Sequence, residues 1–592
     1  MSFTATIRSR LFWIRTHYFT PKNFIILMAI LVGIFAGVAA IILKSLVHTV
    51  ESLLPDQAPA WVYAFLPLIG ILITVFLSKN VFKEPVGHGV SSVLYSIAQK
   101  GGILSRVKMY SRLITAAITV GFGGSTGLEA PIVVTGSAIG SNLTRWFRMD
   151  EKKRILFIGC GTAAGIAAVF DSPVAGVLFA LEVILPEFTL TSFIPVLISG
   201  VTASFLSKGI SGDIGVFSYP YTEEYHLKDV PLFIVLGLLL GLISVYFTRT
   251  TRLIENNLKK LPSIYFRATL GGIILGALLF LFPPLLGEGY IGIRKILEGN
   301  AQALTDKSFL STLPGLSSWL WLYLLALALI KVVTMSLTIG AGGAGGTFAP
   351  SMIVGGLTGS AFARILNQSG WVGIISETNF TLIGMAGVLS GVMHAPLTGM
   401  FLIAEITDGY SLILPLMLVC VTAYICKTYF EPYSLHTRDL ILKGEFIRGN
   451  KDKEILSHLQ LDTILETDLP PVPANATLRD LIKIISQSKR NIFPVINSNH
   501  NLLGVIILND IRQIMFSPEV YDTTLVEDLM QEPPILIQKG DSMEIVMKKF
   551  EDTKAWNLPV MEGDKYLGFV SKSSIFSLYR QELIQVGKDM TA

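Results

Sequence analysis

Charged residues are scarce in this sequence, and cysteines are scarcer still. Only 15% of the 592 residues are charged, whereas 51% are apolar. Soluble domains carry about 25% charged residues, so this composition argues against an ordinary soluble protein. The formal net charge of +4 is small for this length and gives no indication of a nucleic-acid partner. The three cysteines form neither a metal-ligand cluster nor a disulfide framework: Cys160, Cys420 and Cys426.

Long apolar runs fill the first three quarters of the chain, and the mean hydropathy is +0.59. Several runs are long enough to cross about 30 Å of hydrocarbon. They predict membrane spans at residues 24–43, 61–77, 231–247, 268–286 and 320–337. Basic residues without a small-residue cleavage pattern precede the first run, which predicts an uncleaved, cytoplasmic N-terminus: Arg8, Arg10, Arg15 and Lys22.

The composition changes near Lys443, where apolar runs give way to a polar stretch. Beyond it, short β-type runs alternate with amphipathic helical patterns, which predicts a soluble α+β region. We therefore expect a cytosolic segment at 1–22, a helical membrane domain at 23–442, a linker at 443–460, and soluble modules at 461–520 and 521–592.

The soluble region contains an internal repeat, in which residues 493–511 match residues 558–575. Prolines and glycines coincide in the two copies: Pro494 with Pro559 and Gly504 with Gly568. The copies resemble a pair of CBS modules, which in other proteins often hold adenosine nucleotides in the cleft between them.

The ribose-binding pattern usual in CBS modules is Gly, two apolar residues, Ser or Thr, two further residues and Asp. Here the pattern is split. The first copy keeps Asp510 but has Ile507 at the hydroxyl position, and the second keeps Ser571 but has Ser574 at the acidic position. The resemblance implies an adenosine nucleotide at Asp510 and Ser571, with a structural or dimerising module as the alternative. No other cofactor and no metal is expected.

A second repeat lies inside the membrane part, where residues 161–182 align without gaps on residues 384–405. A related glycine-rich turn precedes each copy, at 124–131 and at 343–350. Coinciding residues include Gly161 with Gly384, Ala163 with Ala386, Pro173 with Pro396, Gly176 with Gly399, and Glu182 with Glu405. Duplicated, Gly/Pro-interrupted halves are typical of transporters that bind their substrate near the middle of the bilayer.

The two turns predict the sign of that substrate. Each ends in a proline just inside an apolar run, the placement favoured at a helix N-terminus. Such an end exposes unpaired N–H groups and about half a positive charge. Two of them facing each other in a membrane would form an anion site without Lys or Arg. The alternative role for these glycines is close packing of helices.

The membrane part resembles the CLC family of chloride channels and chloride/proton antiporters over nearly all of residues 20–440. Its gate motif appears as Gly127-Leu128-Glu129-Ala130-Pro131 and its second filter motif as Gly346-Thr347-Phe348-Ala349-Pro350. The family's pore tyrosine corresponds to Tyr433. The first filter motif, Gly-Ser-Gly-Ile-Pro, is represented by the divergent Gly87-His88-Gly89-Val90-Ser91.

The resemblance implies an inverted internal repeat and a homodimer with one pore per subunit and cytosolic termini, in the cell (inner) membrane. It implies that Glu129 is a voltage- or pH-dependent gate whose carboxylate competes with the anion. The implied anion-binding residues are His88, Gly89, Gly127, Thr347, Phe348 and Tyr433. Because His88 replaces the usual serine, it bears on ion preference, and chloride is the expected anion. A structural histidine is the alternative.

Proton-coupled family members commonly carry a second glutamate where this chain has Val183. Valine cannot carry a proton, so we expect a channel, with chloride/proton antiport as the alternative. Its neighbour Glu182 and the equivalent Glu405 are interpreted as structural hydrogen-bonding groups.

Two other classes of function are weighed against anion transport. Residues 123–127 satisfy G-x-S-x-G with Ser125, and His394 lies in a later apolar segment, as in an intramembrane serine protease. The repeat instead predicts a two-fold pore, so we expect no enzyme activity. A cation transporter with a CBS tail is the other rival, but helix N-termini present the wrong sign of charge to a cation.

Overall fold

The computed structural model describes residues 20–52, 60–84, 89–185, 190–212, 225–305, 319–407, 410–443, 459, 461–488 and 490–589. Two units can be distinguished in it, Met1–Leu440 and Ile441–Ala592. The first is helical and the second contains both helices and strands, so the predicted fold class is confirmed.

The membrane unit is a succession of α-helices. Its first half comprises α1 (Pro21–Ser52), α2 (Ala60–Phe76), α3 (Gly89–Lys100), α4 (Ser111–Gly121), α5 (Glu129–Trp146), α6 (Glu151–Phe170), α7 (Pro173–Phe179) and α8 (Leu190–Ser211). Its second half comprises α9 (Val230–Lys259), α10 (Ile264–Leu281), α11 (Tyr290–Leu297), α12 (Leu320–Ala341), α13 (Phe348–Ser369), α14 (Glu377–Met393), α15 (Pro396–Ile406) and α16 (Ile413–Phe430). A short helix, α17 (Arg438–Leu442), crosses the boundary between the two units. Short π-helical turns extend α2 and α7, at Leu77–Phe82 and Ala180–Ile184.

Within the described residues, eight helices have the length and hydropathy of membrane spans. All five predicted spans fall on such helices. Three further spans contain more small and polar residues: Glu151–Phe170, Ser192–Ile210 and Tyr410–Phe430. The predicted span 268–286 was placed too far along the chain, because α10 ends at Leu281 and Pro283 and Pro284 follow.

Both repeats fold in the same way, as a glycine-rich turn followed by two tightly packed helices. In the first repeat α5 packs on α6, and in the second α13 packs on α14. A Cβ atom on Gly161 would overlap the backbone carbonyl of Gly136, and one on Gly384 would overlap that of Gly355. Close packing of helices therefore accounts for these glycines. The glycines of the two turns lie outside the helices and are described below with the candidate site.

In the part of the soluble unit that the structure describes, there are two three-stranded sheets, one for each sequence copy. The first copy holds α18 (Leu461–Ile464), β1 (Val472–Pro473), α19 (Leu478–Gln487), β2 (Ile492–Ile496), β3 (Leu502–Ile507) and α20 (Leu508–Ile511). The second holds α21 (Val526–Leu529), β4 (Ile537–Gln538), α22 (Met543–Thr553), β5 (Asn557–Glu562), β6 (Lys565–Ser571) and α23 (Lys572–Asp589). In each sheet the outer short strand is parallel to the middle strand, and the last strand is antiparallel to it.

Candidate functional site

The two glycine-rich turns meet inside the membrane unit. Gly127 N–H donates to the Gly346 carbonyl at 3.1 Å, and Gly346 N–H donates to the Gly127 carbonyl at 2.8 Å. Helix α5 begins two residues after the first glycine, at Glu129, and α13 begins two residues after the second, at Phe348. The N-terminal ends of one helix from each repeat therefore converge, as the anion-site hypothesis requires.

A reciprocal pair of threonines holds the turns together. Ala344 N–H donates to Thr119 Oγ1 at 3.0 Å, and Ser125 N–H donates to Thr338 Oγ1 at 3.2 Å. Thr119 lies in the last turn of α4 and Thr338 in the last turn of α12, so each glycine-rich turn is anchored by the other half of the molecule. This two-fold arrangement fixes the helix ends relative to each other.

The Glu129 side chain lies at this junction and is 1% exposed. Its Oε1 accepts a hydrogen bond from the Tyr290 hydroxyl at 2.9 Å. The carboxylate also lies beside the backbone N–H groups of Glu129 itself and of Ala349. It is folded over Gly127, since a Cβ atom on that glycine would overlap Oε2. The carboxylate therefore occupies the space between the two helix N-termini, which is the position that the hypothesis gives to the anion.

A small cavity adjoins Glu129, and Phe348 and Thr347 contribute to its wall. Other lining residues are Val90, Ala130, Val133, Phe179, Met393 and His436. Two buried oxygens near it, Glu129 Oε2 and Thr347 Oγ1, have no hydrogen-bonding partner among the described residues. Buried polar atoms are usually satisfied, so these two oxygens are consistent with a site for water or a small ligand.

The remaining predicted anion-binding residues have different positions. Gly89 begins α3 and packs on the first turn of α5, because its Cβ would lie 3.1 Å from the Ala130 carbonyl. Tyr433 is buried, and its carbonyl accepts a hydrogen bond from Lys427 Nζ at 2.6 Å. His88 lies outside the described residues. The anion-binding roles of His88, Gly89, Gly127, Thr347, Phe348 and Tyr433 stay predictions.

Sequence reasoning missed three residues at the site. His436 lines the cavity, and Ser91 Oγ donates to its carbonyl at 2.8 Å. Tyr290 holds the Glu129 carboxylate, and Lys331, which is 0% exposed, donates to Ser125 Oγ in the first turn at 2.9 Å. Lys331 was detectable, because an ionisable residue inside a predicted span is a functional hypothesis by default. Tyr290 lies outside the repeat and had no comparable signal.

Val183, at the position of the proton-carrying glutamate, is 5% exposed and lies in the π-helical turn after α7. Its neighbour Glu182 accepts hydrogen bonds from Leu397 N–H at 3.0 Å, Thr398 N–H at 2.8 Å and Thr398 Oγ1 at 2.7 Å. Glu182 therefore caps the N-terminus of α15, which accords with its interpretation as a structural group.

Glu405 does the same for the other repeat. It accepts hydrogen bonds from Val174 N–H at 3.1 Å and Ala175 N–H at 2.8 Å, which are at the start of α7. Each half of the membrane unit thus supplies the carboxylate that caps a helix of the other half.

We expect Glu182→Gln to lower the free energy of unfolding by about 1–3 kcal/mol, because an amide cannot accept all three hydrogen bonds. Glu405→Gln is the matched variant and should cost a similar amount. Denaturant unfolding of the purified protein in detergent measures both. A Glu182→Gln protein as stable as the parent would contradict the structural role.

The protease hypothesis is not supported by the contacts of Ser125 and His394. Ser125 Oγ donates to the Leu285 carbonyl at 2.8 Å, whereas His394 Nε2 lies 2.6 Å from Lys427 Nζ. In the described structure the two side chains have separate partners, so no serine–histidine pair is formed.

The two predicted nucleotide-binding residues each have a protein partner. Asp510 accepts a hydrogen bond from Gln531 Nε2 at 2.5 Å, and Ser571 Oγ donates to Glu466 Oε1 at 2.6 Å. Glu466 also forms an ion pair with Arg490. Arg490 also donates hydrogen bonds to the exposed Asp468 carboxyl, which lower the pKa of Asp468. A bound ribose would have to displace these contacts, and nucleotide binding stays a prediction.

Comparison with known proteins adds independent information. The sequence model described as "Voltage gated chloride channel" matches residues 70–428, and the CBS domain model matches residues 461–517 and 526–580. "Chloride channel protein CLC-f" of Arabidopsis thaliana is 25% identical over 572 residues, covering 84% of this chain and 70% of the relative. "H(+)/Cl(-) exchange transporter ClcA" of Vibrio vulnificus (strain YJ016) is 29% identical over 444 residues, covering 69% of this chain and 88% of the relative.

Two solved structures share the fold. A slow cyanobacterial Cl-/H+ antiporter superposes with a TM-score of 0.62 at 24% identity, covering 71% of this chain and 98% of that one. A eukaryotic CLC transporter superposes with a TM-score of 0.60 at 18% identity, covering 97% of this chain and 99% of that one. These likenesses show the fold, and the family match over more than half of its length shows that the chain belongs to the CLC family of anion transport proteins and carries a C-terminal pair of CBS domains.

Proposed function

We propose that this protein is a chloride channel in which the Glu129 carboxylate is the gate. The observation that supports this best is the position of that carboxylate, buried between the N-termini of α5 and α13. An ionised carboxylate and a chloride ion compete for the same backbone N–H groups. Protonation or displacement of Glu129 frees them for the anion.

Passive conduction is favoured over proton exchange by the residues around position 183. Val183 has no titratable group, and the three hydrogen bonds to Glu182 commit that carboxylate to capping α15. A proton leaving Glu129 therefore meets no equivalent acceptor at these two positions. Glu129 also carries its charge inside the membrane, where an electric field acts on it, so gating depends on voltage as well as on pH.

Chloride/proton antiport is the second candidate function. It is favoured by the Vibrio vulnificus relative, which is named an exchange transporter, and by the retained gate glutamate. The Arabidopsis thaliana relative is named a channel, so the relatives' names do not separate the two candidates.

Simultaneous recording of chloride and proton movement in proteoliposomes tests the proposal. We expect a chloride gradient to dissipate without moving protons against their own gradient, because position 183 cannot relay them. Uphill proton movement driven by chloride would assign antiport instead. Empty liposomes are the control for leak.

The other expectations belong to the same proposal. Chloride is the proposed anion because the site uses backbone N–H groups, and His88 is proposed to modify the preference among small anions. A homodimer, cytosolic termini in the cell (inner) membrane, and an adenosine nucleotide in the CBS pair are carried over from the family resemblance.

A further inference from the structure

A second carboxylate faces the gate from a larger cavity beside it. The cavity is lined by Glu51, Val120, Glu288, Tyr290, Lys295 and Leu304, among others. Glu51 is in the last turn of α1, a helix of 32 residues that is about 48 Å long at 1.5 Å per residue. The cavity therefore opens on the side of the membrane away from Lys22, which is the outer side in the predicted orientation. We call it the outer vestibule.

Glu288 connects this vestibule to the N-terminus of α5. Its Oε1 accepts a hydrogen bond from the Leu128 N–H at 3.3 Å, and Leu128 immediately precedes Glu129. Two residues further on, Tyr290 donates to Glu129 Oε1 at 2.9 Å. One three-residue segment thus contacts both the gate carboxylate and a backbone N–H that an anion arriving from the vestibule would use.

The segment is held in place by a buried lysine side chain. Lys331 Nζ donates to the Gly287 carbonyl at 2.8 Å and to the Leu285 carbonyl at 3.1 Å. The same Nζ donates to Ser125 Oγ at 2.9 Å, so it ties the segment before Glu288 to the glycine-rich turn before Glu129. Gly289 has φ of 99°, a conformation that L side chains rarely adopt, which turns the chain between Glu288 and Tyr290.

Several charged groups surround Glu288. Among the described residues, those that act on it electrostatically are Glu129, Glu51, Lys331 and Lys44, and Tyr290 interacts in the same way with both Glu129 and Glu288. The Glu129 Oε2 atom, which is buried and lacks a hydrogen-bonding partner in the described part of the chain, is an independent sign of a ligand position at the same helix end. An anion there meets two carboxylates, whose repulsion is strong in a medium of low polarity.

We propose that Glu288 is a second gating acid, which controls passage between the outer vestibule and the Glu129 site. The ionised Glu288 carboxylate occupies the Leu128 N–H and repels an approaching anion. Protonation from vestibule water removes the negative charge, and the anion then reaches the α5 N-terminus. This inference rests on the proposed function, because it concerns access to the site that Glu129 gates.

The test uses the full-length protein in liposomes, chloride as the probe, and Glu129→Gln as the background. With the first gate neutral, we expect chloride flux still to rise roughly tenfold as the pH falls from alkaline to acidic, because Glu288 still titrates. In Glu129→Gln/Glu288→Gln, flux at alkaline pH should equal the acid-activated flux and should not change with pH. Glutamine at 288 keeps an oxygen for the Leu128 N–H, so the substitution removes charge and preserves shape.

The control is Glu129→Gln/Glu51→Gln, which removes a different vestibule carboxylate and should retain the acid activation. If Glu129→Gln alone shows no acid dependence, or if the double variant with Glu288→Gln behaves like Glu129→Gln, the Glu288 inference is wrong. If Glu129→Gln conducts and responds to pH like the unsubstituted protein, the proposed gate itself fails. Size-exclusion profiles of the variants establish that each is folded.

Discussion

Glu129→Gln is expected to raise chloride flux at neutral pH roughly 30-fold and to leave only the weaker acid activation that the Glu288 inference predicts. The ionised carboxylate competes with chloride for two helix N-termini, each of which stabilises a negative charge by about 1 kcal/mol. Glutamine has nearly the same shape but no charge, so it competes poorly. Chloride efflux from proteoliposomes, measured over a range of pH, gives both quantities.

A matched control is Glu405→Gln, the same substitution at another glutamate of the membrane unit, which caps α7. Its effect should appear in stability and leave the pH dependence of flux unchanged. Equal pH dependence in Glu129→Gln and the unsubstituted protein would refute the gate, whatever the neutral flux.

Gly161→Ala is expected to destabilise the membrane unit by about 1–3 kcal/mol or more, because an added methyl group overpacks a close contact. Its Cβ would overlap the backbone carbonyl of Gly136, which cannot move without separating α5 from α6. Since α5 carries Glu129 at its first residue, the displacement should also reduce chloride flux. Thermal unfolding in detergent and flux in liposomes measure the two effects.

The second repeat offers a parallel test, because Gly384→Ala would overlap the carbonyl of Gly355 in the same way. Gly209→Ala is the control: this helical glycine has no atom of the described residues within 4 Å of the added carbon. There, alanine should be neutral or stabilise by up to about 1 kcal/mol through helix propensity. Equal unfolding temperatures for Gly161→Ala and Gly209→Ala would show that the close contact between Gly161 and Gly136 does not determine the stability of the membrane unit.

Most of the predictions about the membrane unit that could be made from the sequence rest on its internal repeat. The gap-free match of 161–182 with 384–405 indicated two homologous halves, and the prolines at 131 and 350 indicated helix starts. Both predictions agree with the structure, where these prolines are the third residues of α5 and α13. The sign of the charge at the turns followed from the physics of helix ends, which does not depend on side-chain identity.

The rest of the site comes from segments that do not repeat. Tyr290 and Glu288 follow a pair of prolines and reach Glu129 across about 160 positions of sequence, as the Leu128–Glu288 separation of 160 illustrates. No spacing rule predicts such a contact, because it depends on how the fold places the connection between α10 and α11 against the start of α5. Similarly, sequence reasoning singled out Tyr433, whereas His436, three residues later, lines the cavity.

The exchange of caps between Glu182 and Glu405 has a consequence for synthesis. The Ala175 N–H donates to Glu405, a residue 230 positions later, so the N-terminus of α7 cannot be capped until the second half of the membrane unit has been synthesised. Glu182, in contrast, is synthesised before α15, the helix that it caps. We therefore expect two separately expressed fragments, split between α8 and α9, to be more stable together than alone.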